Sequence, residues 1–144
     1  MGGDFVLPSQ ATTPLLWITG GIGITPFSSF ADDLAQGAGR TDVDVVLLWV
    51  VRGADELVYA DVFDRAGVRV ALIGPDALAT EGVLPDGWTY AGPTLDENAV
   101  RASVPDAAGR SVFIAGSPRV VQAGRDAARG AGARRIRTDR FLGY

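Results

Sequence analysis

Leu15-Leu16-Trp17-Ile18-Thr19-Gly20-Gly21-Ile22-Gly23-Ile24-Thr25-Pro26-Phe27 decides how this chain is read. A short apolar run suited to a buried strand passes through a glycine-rich turn. Phe27, Phe30, Ala31 and Leu34 then recur at helical spacing, with Asp32 and Asp33 on the opposite face. Gly37 and Gly39 are placed to close that helix. A strand running through glycines into a helix makes an anion trap. Glycine lets the backbone turn sharply and approach a ligand, while unpaired N–H groups and the positive end of the helix dipole attract negative charge. Thr25 is expected to cap the helix, and Pro26 costs no hydrogen bond at its first position. Gly21-x-Gly23 is followed by Pro26 where a G-x-G-x-x-G fingerprint has its third glycine, so the loop reads either as a phosphate cradle or as a structural βα turn.

Outward from this unit the same alternation continues. Val43 to Val51 is apolar in its centre without alternation, as expected of a central strand covered on both faces. Arg52-Gly53 leads to a helix expected from Asp55 to Ala66, and Val68 to Ile73 is a third strand. Gly74 to Pro93, dense in Gly, Pro and Asp, reads as an irregular flap with room for a short hairpin. Thr94-Leu95-Asp96-Glu97 has the spacing of a capping box before a short helix ending near Val104-Pro105. Ser111 to Ala115 is a fourth strand. Ser117 and Pro118 then supply an N-cap hydroxyl and a first-position proline for a helix reaching Gly130, and Arg135 to Phe141 is the last strand. The expected fold class is α/β: a doubly wound, mostly parallel five-stranded sheet of Rossmann-like type. Gly20–Pro26 and Gly116–Pro118 would then face one crevice at the carboxyl ends of the strands, although Ser117 taken alone reads equally as a simple helix cap.

With 144 residues, 47% of them hydrophobic and 21% charged, the chain suits one compact domain with a real core. It contains no histidine and no cysteine, which excludes disulfides, thiolate-held clusters, zinc sites built from those residues and Ser-His-Asp triads. Every basic residue is arginine, so neither a Walker A lysine nor a lysine Schiff base is available. No metal site is expected, and chemistry here would belong to a bound cofactor. A net charge of −4 argues against a nucleic-acid surface. Arg125 to Arg140 is interrupted by Asp126 and Asp139 and reads as a solvated face. No run approaches the ~18 apolar residues of a membrane span, and the expected setting is soluble and cytoplasmic.

Five segments occur in a telling order: Gly3-Asp4-Phe5-Val6-Leu7-Pro8; Ile18 to Phe27; Leu47 to Arg52 with a later Val58-Tyr59; Phe113 to Pro118; and Asp139-Arg140-Phe141-Leu142-Gly143-Tyr144. In that order, over essentially the whole chain, they resemble the pyridine-nucleotide-binding half of the ferredoxin–NADP reductase family. The resemblance implies an α/β domain that delivers NAD(P)H to FAD or FMN held by a β-barrel, with electrons passing to an acceptor the sequence does not identify. No residue matches the family's flavin-binding Arg-x-Tyr-Ser/Thr motif. Residues 1–14 are therefore expected to be a junction from a flavin-binding domain and 15–144 the NAD(P)-binding domain, part of a larger reductase and inactive when isolated.

Carried over by position, Gly20, Gly21, Gly23 and Thr25 resemble the pyrophosphate loop, and Arg52 matches a polar residue on the adenosine side. Gly116, Ser117 and Pro118 are similar to the segment beside the nicotinamide. Ala115 stands where many members have Cys, so this loop would position and pack without a thiol. Asp139 and Phe141 resemble an acidic and aromatic pair close to the flavin, and Tyr144 an aromatic that shields it. Ser117 and Asp139 are the catalytic candidates. Where NADP-selective relatives place donors for the 2′-phosphate, this chain has Gly74-Pro75-Asp76. The Asp76 carboxylate would repel that phosphate and accept a ribose hydroxyl, favouring NAD(H) over NADP(H). A non-catalytic pyridine-nucleotide sensor or partner-binding subunit with the same fold is the alternative, because fold alone does not fix function.

Overall fold

A computed structural model describes residues 14–20, 24–35, 44–57, 60–82 and 84–140. Six strands and five helices alternate in the order β1 Leu15–Gly20, α1 Ile24–Ala35, β2 Val45–Val50, α2 Ala60–Arg65, β3 Arg69–Ile73, α3 Ala77–Thr80, β4 Thr89–Gly92, α4 Glu97–Ser103, β5 Ser111–Gly116, α5 Pro118–Gly130 and β6 Arg135–Arg140. They form one sheet of order β4-β3-β2-β1-β5-β6 in which every neighbouring pair is parallel. The chain winds outward from β1 to β4, crosses back through α4, and winds the other way through β5 and β6. The switch point therefore lies between β1 and β5, whose residues pair from Leu15 opposite Ser111 to Thr19 opposite Ala115.

Both faces of the central strands are covered, which explains their unbroken apolar runs. One side of the sheet presents Leu15, Trp17, Leu47, Trp49 and Phe113 to Phe27 of α1 and Phe63 of α2. The other presents Leu16, Ile18, Leu48 and Ile114 to Val100 of α4 and Val121 of α5. Aromatic packing fixes the first layer: the Trp17 and Phe27 rings stack with centroids 5.2 Å apart, and Trp49 meets Phe63 edge-on at 5.9 Å. The outer strand β6 is different, with Arg135 and Arg137 exposed on one face and Ile136 packed against the core on the other. No helix among the described residues is long and apolar enough to cross a membrane.

The sheet has six strands where five were expected, and the additional one comes from the supposed flap. Instead of forming a hairpin, Thr89–Gly92 pairs parallel with β3. The buried Trp88 ring packs against Trp49, and its Nε1 donates to Asp64 at 2.9 Å, so distant contacts fix as a strand the Trp88-Thr89-Tyr90 run set within a stretch dense in Gly, Pro and Asp. The helix expected from Asp55 to Ala66 is split into a 3-10 turn, Ala54–Glu56, and α2. Leu57 leaves helical geometry at φ −81°, ψ 64°, while Glu56 reaches back to Arg52. The cap of α4 is Asp96, not Thr94: its carboxylate accepts from the Ala99 N–H at 2.9 Å, a charged acceptor at the positive end of the helix dipole. Thr25 does not cap α1, which starts at Ile24 and places Thr25 inside the first turn. By contrast α5 starts as the sequence indicates, on Ser117 with Pro118 following. Gly37 and Gly39, expected to end α1, lie outside the described residues, as does the expected junction apart from Pro14.

At the opposite end of the strands from the glycine turns, one buried arginine ties the sheet together. Arg110, 2% exposed, donates from Nη1 to the carbonyls of Leu15 and Asp44 at 2.9 and 3.2 Å. Its Nε meets Asp106 at 3.0 Å, its Nη2 meets the Asp44 carboxylate, and Arg69 closes on that same carboxylate at 2.8 Å. Partial burial pushes the Asp44 carboxyl up, but the hydrogen bond and charge of Arg110, joined by Arg69, outweigh it and hold the group below its ordinary value. The hydrogen bond from Arg110 likewise lowers Asp106. Replacing Arg110 by Met should cost ~2 kcal/mol at neutral pH in a urea melt, since it removes the buried donor to the Leu15 and Asp44 carbonyls and the charge between two half-exposed carboxylates, of which Asp44 keeps Arg69. Because the folded state depresses both carboxyl groups, their contribution is present above their unfolded values and lost as pH falls through the folded ones. The gap between Arg110→Met and the unaltered chain should accordingly narrow below about pH 4.

Candidate functional site

The carboxyl ends of β1 and β5 meet with no room for side chains. A Cβ built on Gly20 would lie 3.0 Å from Cγ2 of Val120, and one on Gly116 would lie 3.2 Å from the Gly20 carbonyl and from Cγ1 of Val120. Gly116 also has φ +151°, which L side chains rarely adopt. Just below, the buried Thr19 hydroxyl donates to the Ala115 carbonyl at 2.8 Å and locks the two strand ends together. The result is a cradle where two strand ends without side chains meet against Val120 of α5, with α1 and α5 following from it. Such a cradle suits a pyrophosphate, whose oxygens need bare N–H groups and close approach.

Around this cradle the structure brings Gly20, Gly116, Ser117 and Pro118 together. Ser117 Oγ accepts from the Val120 N–H at 3.3 Å, which makes it the helix cap and leaves its own O–H free to donate. Thr25 is exposed in the first turn of α1, and its carbonyl accepts from Ser28 Oγ at 2.7 Å. Asp139 lies opposite Ala115 in the β5–β6 register; it is 9% exposed, and its Oδ2 has no hydrogen-bond partner among the described residues. A buried carboxylate oxygen left open beside the cradle is the kind of group that awaits a donor. Gly21, Gly23, Phe141 and Tyr144 lie outside the described residues.

A second cluster occupies the adjoining ends of β2 and β3. Arg52, Gly53, Ala54, Pro75, Ala77, Leu78 and Glu81 line a groove of about 70 Å³. The segments are held close: the Val51 N–H donates to the Ile73 carbonyl at 2.9 Å, and a Cβ on Gly74 would fall 2.2 Å from the Val51 carbonyl. Arg52 is exposed; its Nε donates to Glu56 Oε2 at 2.9 Å and its N–H to Oε1 at 3.1 Å. Asp76 is also exposed, and Tyr90 of β4 reaches it. The Tyr90 hydroxyl lies 2.6 Å from the Gly74 carbonyl and 3.0 Å from Asp76 Oδ1. Partial burial, then the hydrogen bond and charge of Asp76, push the Tyr90 phenol above its ordinary value, so it is a neutral donor over the working pH range.

Thr19, Glu56 and Tyr90 were not among the residues the sequence singled out. Glu56 had a signal, its i,i+4 spacing from Arg52. Thr19 had a weaker one, a lone hydroxyl ending an apolar run. Tyr90 had none, because β4 reaches Asp76 only through the sheet. Two larger grooves, of about 390 and 170 Å³, lie along β5–β6 beside Arg134, Arg135 and Arg137, and across β3–β4 beside Arg69 and Ser103. Neither includes any of the candidate residues.

A doubly wound sheet with a glycine cradle at its switch point defines the class of α/β nucleotide-binding domains. Residues 17–126, well over half of the chain, match the oxidoreductase NAD-binding domain, and the chain belongs to that family. Solved structures agree in fold. The FAD/NAD-binding domain of nitric oxide dioxygenase from Vibrio cholerae is similar at a TM-score of 0.74 and 17% identity, over 97% of this chain and 55% of that one. A flavohemoglobin from Malassezia yamatoensis, solved with FAD and heme, is similar at 0.72 and 24%, over 96% and 35%. The Amycolatopsis cytochrome P450 reductase is similar at 0.61 and 26%, over 96% and 41%. The family found is the one that the order of motifs implied. The chain spans between about a third and just over half of the length of these structures. No curated protein gives a significant match.

The close approach at Gly74 holds the Asp76 loop in place. Gly74→Ala should therefore lower stability by at least ~2 kcal/mol in a urea melt, since the clashing atom is backbone and has nowhere to go.

Proposed function

We propose that this chain is the NAD(H)-binding domain of a flavin-dependent oxidoreductase, placing the nicotinamide for hydride transfer to FAD or FMN on a separate domain. The observation that carries this reading is the side-chain-free meeting of Gly20 and Gly116 at the switch point, in a chain of the NAD-binding family. The bound nucleotide supplies the hydride, and the chain's own residues bind and orient. Backbone N–H groups of Gly20, Gly21, Gly23 and Thr25 at the start of α1 take the pyrophosphate. Gly116, Ser117 and Pro118 form a floor for the nicotinamide, with the free Ser117 O–H available to its carboxamide. Asp139, with a carboxylate oxygen that has no partner among the described residues, is the acidic group assigned to the flavin side, and Phe141 and Tyr144 are the aromatic residues assigned to it. Arg52 and Asp76 flank the adenosine, where the Asp76 carboxylate accepts a ribose hydroxyl and repels a 2′-phosphate. An unidentified acceptor takes the electrons from the flavin. The isolated chain binds nucleotide without turnover.

Calorimetric titration of the chain with NADH and with NADPH, carried to millimolar ligand, tests the reading. Saturable binding is expected, tighter for NADH, and weakened about tenfold or more in Gly20→Val, whose side chain would press on Val120 and displace the start of α5. Absence of heat with both nucleotides would overturn nucleotide binding by this domain, and tighter binding of NADPH would overturn the role given to Asp76.

A further inference from the structure

The groove between the ends of β2 and β3 carries one arginine among several acids. Arg52 and Glu81 line it, Glu56 is bonded to Arg52, and the exposed Asp76 sits in the chain between the lining residues Pro75 and Ala77. An arginine 92% exposed at the end of a strand would ordinarily be a ready ligand for a phosphate. Here a carboxylate offsets its charge, although only its Nε donor is taken up. Glu56, whose side chain is only 24% exposed, closes a ring on Arg52, one oxygen on Nε and the other on the backbone N–H. A phosphate approaching the guanidinium would meet the Glu56 carboxylate within a few ångströms.

Asp76 is fixed in a different way. The Tyr90 hydroxyl has one proton and two acceptors, the Gly74 carbonyl at 2.6 Å and Asp76 Oδ1 at 3.0 Å. It ties the carboxylate to the backbone of the Gly74 turn, and that turn is held to β4 by the Gly74 N–H donating to the Gly92 carbonyl at 3.0 Å. Asp76 Oδ2 is left to accept from a ligand hydroxyl.

From this geometry we infer that Glu56 and Tyr90 are positioning residues that set nucleotide choice: Glu56 cancels Arg52 as a 2′-phosphate ligand, and Tyr90 holds Asp76 where a ribose hydroxyl can donate to it. The inference rests on the nucleotide-binding reading above and extends it to two residues outside the expected site. Neither residue contributes to the Gly20–Gly116 cradle, so exchanging them alters the ratio of the two affinities and leaves the rest of the site intact.

The test compares NADH and NADPH dissociation constants for the unaltered chain, Glu56→Gln and Tyr90→Phe, with circular dichroism checking that each variant is folded. Glu56→Gln keeps an acceptor for the Arg52 N–H but removes the charge, and should strengthen NADPH binding by about fivefold to tenfold with NADH changed by less than about twofold. Tyr90→Phe should weaken NADH by about threefold or more and NADPH by less, narrowing the ratio. A merely structural role would weaken both nucleotides equally. Folded variants that bind with the ratio of the unaltered chain would overturn this inference and leave nucleotide binding standing. An unaltered chain that binds neither nucleotide would overturn both.

Discussion

The hydrogen bond from the Thr19 hydroxyl to the Ala115 carbonyl marks the constraint on which the molecule depends: two parallel strands, from opposite halves of the winding, must end level and side by side. Level ends mean that β1 and β5 release their chains toward the same edge, one into α1 and one into α5. Both strands end in glycine because Val120 of α5 crowds both positions, and the Gly20 carbonyl crowds Gly116 as well. The crevice follows from this crowding. Two helix starts converge on a strip of bare backbone, and their partial positive charge is concentrated there without any lysine.

Local sequence revealed these central features because they are repeated at short range. The apolar runs of β1, β2 and β5 are unbroken, and Ser117-Pro118 is a cap that needs nothing beyond its own helix. Elements settled by distant partners were hidden. Thr89–Gly92 becomes a strand because Trp88 is buried on Trp49 and held by Asp64, contacts spanning tens of residues. The Asp55–Ala66 pattern is helical in composition, yet it breaks at Leu57, beside the Glu56 carboxylate that bonds Arg52. Asp96 displaced Thr94 as a cap although both positions offered a suitable side chain, and the carboxylate has the stronger attraction to the helix start.

The site divides in the same way. The glycines and Ser117 of the cradle were legible, since backbone approach leaves its trace in residue type. At the ends of β2 and β3, Arg52 and Asp76 were legible as charges, but their partners were not. Tyr90 reaches Asp76 through the β3–β4 pairing, and Arg110, at the amino end of β5, resembled any exposed arginine until the strand ends closed around it. The two edges of the sheet thus differ in kind. Ion pairs with a buried guanidinium secure the amino edge, whereas packed backbone and single hydrogen bonds shape the carboxyl edge and leave polar atoms such as Asp139 Oδ2 open.

The outer strand β6 has a further effect. Among the described residues nothing pairs with its outer edge, and a bare parallel strand is a template onto which another chain can add. Arg135 and Arg137 project from alternate positions, with Arg134 exposed just before them. A second copy arriving edge to edge would bring a matching row of guanidinium groups against this one, and the repulsion acts before any backbone hydrogen bond can form. Among the described residues, such charges on an edge strand oppose sheet extension by another chain.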